Sequence, residues 1–297
     1  MKFRLLTTLV VCLFLAGGGF SQINSTSFRY VAINVPGATA TIPRGINNFG
    51  EIVGFYFISG NPACGLGVNC VLHGFKLINH KFTRVDVPGA LQTAINGVND
   101  NGDVVGAYFA SDGKLHGFLL LHNGHLVKID HPGSNFTSPN GVNNSLTVVG
   151  DATTGFIWKN GKFTTFDITV PGNGESETLL GISNNGFIAG TLFRQDFNNG
   201  FQKTGSDVDV FARINGLDTH VVAVNSRDNI LGAAPGVDRS FVSFHEESNS
   251  NELVLKPVPI HFPGSSATMA TGINFNQSIV GSFTDSSNHI HGFLAVH

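Results

Sequence analysis

The sequence predicts an all-β fold: a six-bladed β-propeller with four antiparallel strands per blade, the last blade closed by the N-terminal strand. Three observations carry that expectation. A ten-residue motif recurs six times along the 297 residues. Each copy brings the same companion segments in the same order. The segment missing after the last copy stands before the first.

The motif is clearest in GVNDNGDVVG, from Gly97 to Gly106. Its relatives are GINNFGEIVG at Gly45, GVNNSLTVVG at Gly141, GISNNGFIAG at Gly181, AVNSRDNILG at Ala223 and GINFNQSIVG at Gly272. The starts lie about 40–50 residues apart, the size of a four-stranded blade. Downstream of each copy comes a polar-x-Phe element, beginning at His73, His116, Thr154, Asn199, Arg239 and His291. An extended segment ending in Pro-Gly follows in four copies: FTRVDVPG, LVKIDHPG, FTTFDITVPG and LKPVPIHFPG. Apolar and polar residues alternate within these segments and none has a helical period, so each unit reads as four short strands.

The middle of the best copy, NDNGD, has the look of a calcium loop. The equivalent stretches NNFGE, NNSLT, SNNGF, NSRDN and NFNQS keep no set of carboxylates. A calcium loop needs several oxygen ligands, usually with more than one carboxylate. The better reading is a tight hairpin turn, with Asn and Gly accommodating positive φ.

FRYVAINVPG, from Phe28, matches the final segment of a unit, and the sixth unit stops at HGFLAVH without one. Pairing the N-terminal strand there would close a ring and remove its open edges. A seven-bladed ring and a β-prism-like solenoid are the competing architectures. A linear solenoid needs polar caps at both ends, and the sequence offers none.

Repeats of the form G-I-N-x-x-G-x-I-V-G followed by H-x-F resemble the HAF family of bacterial extracellular repeats. The HGF elements at His73, His116 and His291 and the GIN or GVN elements at Gly45, Gly97 and Gly272 carry the resemblance. It spans about Phe28 to His297, with the fourth and fifth copies departing most. It implies export and a propeller-like fold, and no activity.

Composition narrows the partners. Only 12% of residues are charged and the formal net charge is −3. With no block of Lys or Arg, nucleic acid and anionic membrane surfaces are poor partners. There are 26 Phe against one Trp and three Tyr, so the aromatics read as core filler. The start, MKFRLLTTLVVCLFLAGGGFSQ, has the basic, apolar and small-residue order of a secretory signal peptide. Residues 1–21 are therefore expected to be removed before Gln22, leaving 22–297 as one secreted or periplasmic domain, monomeric and not inserted in a membrane. Cys64 and Cys70, in CGLGVNC, are expected to form a disulfide in that compartment.

No nucleophile elbow, HExxH or phosphate-binding loop appears. The polar residue of polar-x-Phe recurs six times, which points to a structural hydrogen bond to a neighbouring strand, with the Asn of GIN as a candidate partner. His289 and His291 are spaced to share one strand face, but no third zinc ligand is evident. If first strands line the axis, the residues before each motif form its mouth: Arg44, Asn96, Asn140, Glu177, Asp218, His220 and Thr271. All of these except Thr271 are the candidate ligand-binding residues. The favoured function is an exported, non-catalytic binding or scaffold module without a cofactor, recognising a protein partner or surface component. The alternative is a calcium-dependent hydrolase similar to lactonases and phosphotriesterases, with Asn96, Asn140, Glu177 and Asp218 around an axial calcium whose charge polarises the substrate.

Overall fold

The computed structural model describes residues 28–59, 70–166, 176–193, 198–205, 207–210, 218–234, 239–244 and 257–297. The signal-peptide expectation falls outside these residues, as does Cys64. No helix occurs among the described residues.

Strand β1 (Arg29–Ile33) comes first, and the chain then builds one antiparallel sheet after another. The first holds β2 (Ala40–Ile46), β3 (Ile52–Ser59), β4 (Val71–Ile78) and β5 (Lys81–Val85). The second holds β6 (Gln92–Val98), β7 (Val104–Phe109), β8 (Leu115–Leu120) and β9 (Leu126–Ile129). The third holds β10 (Ser138–Val142), β11 (Val148–Asp151), β12 (Gly155–Lys159) and β13 (Lys162–Thr165). The fourth holds β14 (Ser176–Ile182), β15 (Ile188–Phe193), β16 (Asn198–Thr204) and β17 (Asp207–Val210). The fifth holds β18 (His220–Val224), β19 (Ile230–Ala234), β20 (Arg239–Ser243) and β21 (Pro257–Ile260). The chain ends with β22 (Ala267–Ile273), β23 (Ile279–Thr284) and β24 (Ile290–Val296).

β1 pairs antiparallel with β24, from Arg29 opposite Val296 to Ile33 opposite Gly292. One parallel bridge, Ala40 to Ile290, joins β24 to β2, so the first and last groups of strands form a continuous sheet of eight. First strands meet in succession: β2 touches β6, β6 touches β10, β10 touches β14, β14 touches β18, β18 touches β22, and β22 touches β2.

The core lies between the sheets. Second strands such as β7 (VVGAYF) and β23 (IVGSFT) are buried on both faces. They therefore run apolar without the alternation expected from the sequence, because a strand covered on both sides has no solvent face to make polar. Fourth strands such as β13 (KFTT) are largely exposed. The phenylalanine of every polar-x-Phe element, Phe75, Phe118, Phe156, Phe201, Phe241 and Phe293, is buried in the third strand of its sheet.

Packing accounts for both glycines of the motif. A Cβ on the first would crowd the next sheet: on Gly45 it would lie 3.3 Å from Gly97 Cα, and on Gly97 2.8 Å from Asn140 O. The second glycine faces the backbone of its own first strand, where a Cβ on Gly106 would lie 2.0 Å from the Ala94 carbonyl oxygen. The second glycine leaves no room for a Cβ and the first leaves little, so the motif closes on Gly in all six copies and opens on it in five, with Ala223 in the other.

Between the two glycines lies the turn. Gly102 donates to Asn99 O at 3.2 Å and Asn99 N to Asp103 O at 3.1 Å. One position takes positive φ in every copy: Gly50, Gly102, Leu146, Gly186, Asp228 and Gln277. The asparagines act differently from the expectation. Asn99 Oδ1 accepts from Asn101 N and Asp103 N, closing the turn through its side chain. Its Nδ2 reaches the next sheet, donating to Asn143 O at 3.2 Å. Asn47, Asn143, Asn225 and Asn274 make the same bond onward, the last to Asn47 O at 3.0 Å.

Candidate functional site

In every first strand the pairing with the second slips by one residue at the same place. The residues left out of register are Arg44, Asn96, Asn140, Leu180, Val222 and Thr271, each one before the motif start. A β-bulge re-aims the side chain of its extra residue. Here the bulged side chains reach across to the next sheet. Asn96 Nδ2 donates to Pro139 O at 2.9 Å, Asn140 Nδ2 to Leu179 O at 2.8 Å, and Thr271 Oγ1 to Pro43 O at 2.8 Å.

Arg44 departs from this pattern. Among the described residues its guanidinium has no hydrogen-bond or ion-pair partner. Protein surrounds it, and this desolvation lowers its pKa with no counter-charge to offset it. Part of its surface still opens onto a cavity of about 460 Å³, within the range of small-molecule sites. Arg44, Asn96, Ser138 and Asn140 supply polar lining, and Phe55, Phe57, Leu72, Ala94, Met269 and Ile290 supply apolar lining. Met269 is 60% exposed and marks the mouth.

Three of the residues singled out from the sequence therefore meet: Arg44, Asn96 and Asn140. Glu177, Asp218 and His220 do not line this cavity. In the fourth and fifth sheets the bulge falls on Leu180 and Val222, so the earlier polar residues are not turned the same way. Glu177 Oε1 lies 3.4 Å from where a Cβ on Gly155 would be, against the third sheet. The His220 ring lies tilted at 6.2 Å from Phe193, and burial lowers its pKa against the raising effect of Asp218. Of the four residues considered for calcium, Asn96 and Asn140 share the cavity, while Glu177 and Asp218 do not line it. Among the described residues, no group of three or more His, Cys, Asp or Glu is placed to hold a metal ion.

Sequence reasoning missed Asp151. It accepts from Asn140 Nδ2 at 2.7 Å and from Leu179 N at 2.9 Å. Burial raises its pKa to about 7, the two hydrogen bonds oppose that shift, and the charge of Glu177 adds to it. The signal was available: Asp151 directly follows the motif, where the other copies have Phe55, Ala107, Thr191, Ala233 and Ser282. It is the one charged residue in that column.

At the other end of the first strands, the NDNGD turn is confirmed as a turn, and Asp100 is its centre. Asp100 Oδ2 accepts from Asn48 at 2.9 Å, Asn144 at 3.0 Å and Asn184 at 2.9 Å, residues of three other sheets. The carboxylate ties turns together there.

The histidines of HGF make structural bonds, but not to the Asn of GIN. His73 Nδ1 lies 3.2 Å from Asp86 Oδ1, His116 Nδ1 3.0 Å from Asp130 Oδ1, and His291 Nδ1 2.9 Å from Asn34 Oδ1. Each partner stands two residues before a Pro-Gly, just beyond the adjacent fourth strand. His289 and His291 share Asp285, whose Oδ2 lies 3.1 Å from His291 Nε2.

No family model matches the sequence, and no curated protein matches it. Solved structures do match. A catalytically inactive H270A virginiamycin B lyase from Staphylococcus aureus, solved with quinupristin, superposes with a TM-score of 0.50 at 13% identity, covering 90% of this chain and 99% of that one. The β-propeller domain of the trilobed protease from Pyrococcus furiosus, with an open velcro topology, gives 0.51 at 10% identity over 86% and 79%. YCF48 from Cyanidioschyzon merolae gives 0.50 at 9% identity over 90% and 98%. At such identities the likeness speaks for the fold alone, and with the repeated four-stranded antiparallel sheets it makes this chain a β-propeller.

Proposed function

We propose that this chain is an exported, non-catalytic binding module. In this reading it is a six-bladed propeller whose N-terminal strand completes the last blade. The pairing of β1 with β24 and the contact of β22 with β2 support the closed ring. The signal-peptide layout, the Cys64–Cys70 pair and the resemblance to extracellular repeats support export. The bound partner, a protein segment or a smaller component of the surroundings, enters the cavity behind Met269.

One observation carries the binding role: the repeat abandons its own regularity at the bulge. Six equivalent positions hold Arg, Asn, Asn, Leu, Val and Thr, while the glycines and asparagines that build the ring recur. Three of these six positions, Arg44, Asn96 and Asn140, line the cavity. Asp151 gives a catalytic role its best footing, since a carboxyl titrating at about 7 suits proton transfer. Both of its oxygens are engaged by Asn140 and Leu179, however, so it holds Asn140 in place and does not line the cavity.

The test is a thermal-shift screen of small molecules and short peptides against the chain and a Met269→Trp variant, which fills the mouth. Compounds that stabilise the chain and not the variant are expected, because a ligand bound to the native state raises its melting point. Equal stabilisation of both proteins, or no stabilising compound at all, overturns the proposal.

A further inference from the structure

The chemistry of the ligand follows from Arg44, given the reading of the cavity as a binding site. Three bulged side chains with hydrogen-bond donors, Asn96, Asn140 and Thr271, each donate to a carbonyl of the next sheet. The equivalent acceptor for Arg44 is Ile95 O, and that bond is not made. Five N–H donors in a planar fork are left facing the cavity. Among the described residues, no Asp or Glu lines it. An enclosed guanidinium without a counter-ion weakens a fold, so the folded chain gains nothing from this charge. The same fork matches the two oxygens of a carboxylate.

The remaining lining sets the rest of the ligand. Phe55, Phe57, Leu72, Ala94, Met269 and Ile290 present apolar surface beside the charge. Asn96 Oδ1 accepts no hydrogen bond from the described residues, although its Nδ2 is engaged. We propose that the cavity binds a carboxylate carried on an apolar body, with the carboxylate on Arg44 and a neighbouring N–H or O–H of the ligand on Asn96 Oδ1. Two sources share that chemistry: a small apolar acid, and the C-terminus of an apolar peptide, whose last amide N–H suits Asn96.

Calorimetric titration of the full chain with two matched pairs tests this: octanoate against octanamide, and N-acetyl-Leu-Phe acid against its C-terminal amide. At least one acid is expected to bind roughly tenfold or more tightly than its amide, the scale of a charge-assisted hydrogen-bond pair. Preference confined to octanoate identifies a small acid, and preference confined to the peptide acid identifies a chain terminus. Arg44→Met should abolish the preference and raise the melting temperature, since an unpaired enclosed charge is removed. A variant that melts lower assigns Arg44 a structural role and overturns the proposal. Acids and amides binding alike, with both blocked by Met269→Trp, overturn it while the binding role of the cavity stands. No binding by either acid also overturns it, and the wider screen then judges the cavity independently.

Discussion

Asp151 should make the protein less stable as the solution becomes less acidic. In the unfolded chain its carboxyl ionises near the ordinary value of 3.8, whereas in the fold it stays protonated to about 7. Between those limits the native state binds the extra proton, so stability falls as pH rises. The stabilisation is present below about pH 4 and lost by about pH 7. Roughly three pH units at 1.36 kcal/mol each amount to about 4 kcal/mol as an order of magnitude. Asp151→Asn cannot ionise and removes this slope. Its amide also meets Asn140 Nδ2 donor to donor, a cost that does not depend on pH and cancels in the slope. Urea unfolding followed by the fluorescence of Trp158, the single tryptophan, measures both proteins from about pH 4 to pH 8. The variant should gain on the parent by about 4 kcal/mol across that range. Parallel profiles for the two proteins would refute the reasoning, because Asp151 would then titrate alike folded and unfolded.

Four further variants test the backbone and the packing. Gly106→Ala brings a Cβ within 2.0 Å of the Ala94 carbonyl and 2.9 Å of Ile95 Cα, both backbone, and should cost about 3 kcal/mol or more by urea denaturation. Gly113→Ala, with φ of 78° and open space around it, should cost only about 1 kcal/mol, and equal losses would remove steric contact as the reason for the motif glycine. Gln277→Gly relieves a residue held at φ of 63° and should stabilise by about 0.5–1 kcal/mol, whereas any loss of stability means its side chain matters more than its backbone. Tyr30→Ala removes the ring packed 5.7 Å from Phe262 and 5.9 Å from Phe293, and the hydroxyl that accepts from His261 N. A global loss of about 2–3 kcal/mol is expected if β1 closes the ring, against an unchanged main transition if β1 frays alone.

Much of the architecture was legible from periodicity. The six copies marked the sheets, the displaced segment at Phe28 marked the partner of β24, and the residues before the motif led to Arg44, Asn96 and Asn140. In copies four and five the bulge falls on Leu180 and Val222, so Glu177, Asp218 and His220 stand outside it. The bulge itself left no trace: all six copies carry it, so comparing copies with one another shows no insertion. The partners of the HGF histidines were misplaced for a similar reason, since Asp86, Asp130 and Asn34 are reached only once third and fourth strands are laid side by side.

The amino-acid order alone determined the strand content, the unit length, the turn at NDNGD and the apolar payload of each third strand, because these depend on neighbours within a few residues. Tertiary structure decided which bulged residues share one cavity, that Arg44 is left without a partner among the described residues, and that Asp151 is buried beside Glu177. Those properties belong to groups 26 to 96 residues apart in the chain, and only the arrangement of the sheets sets their distances and their access to water.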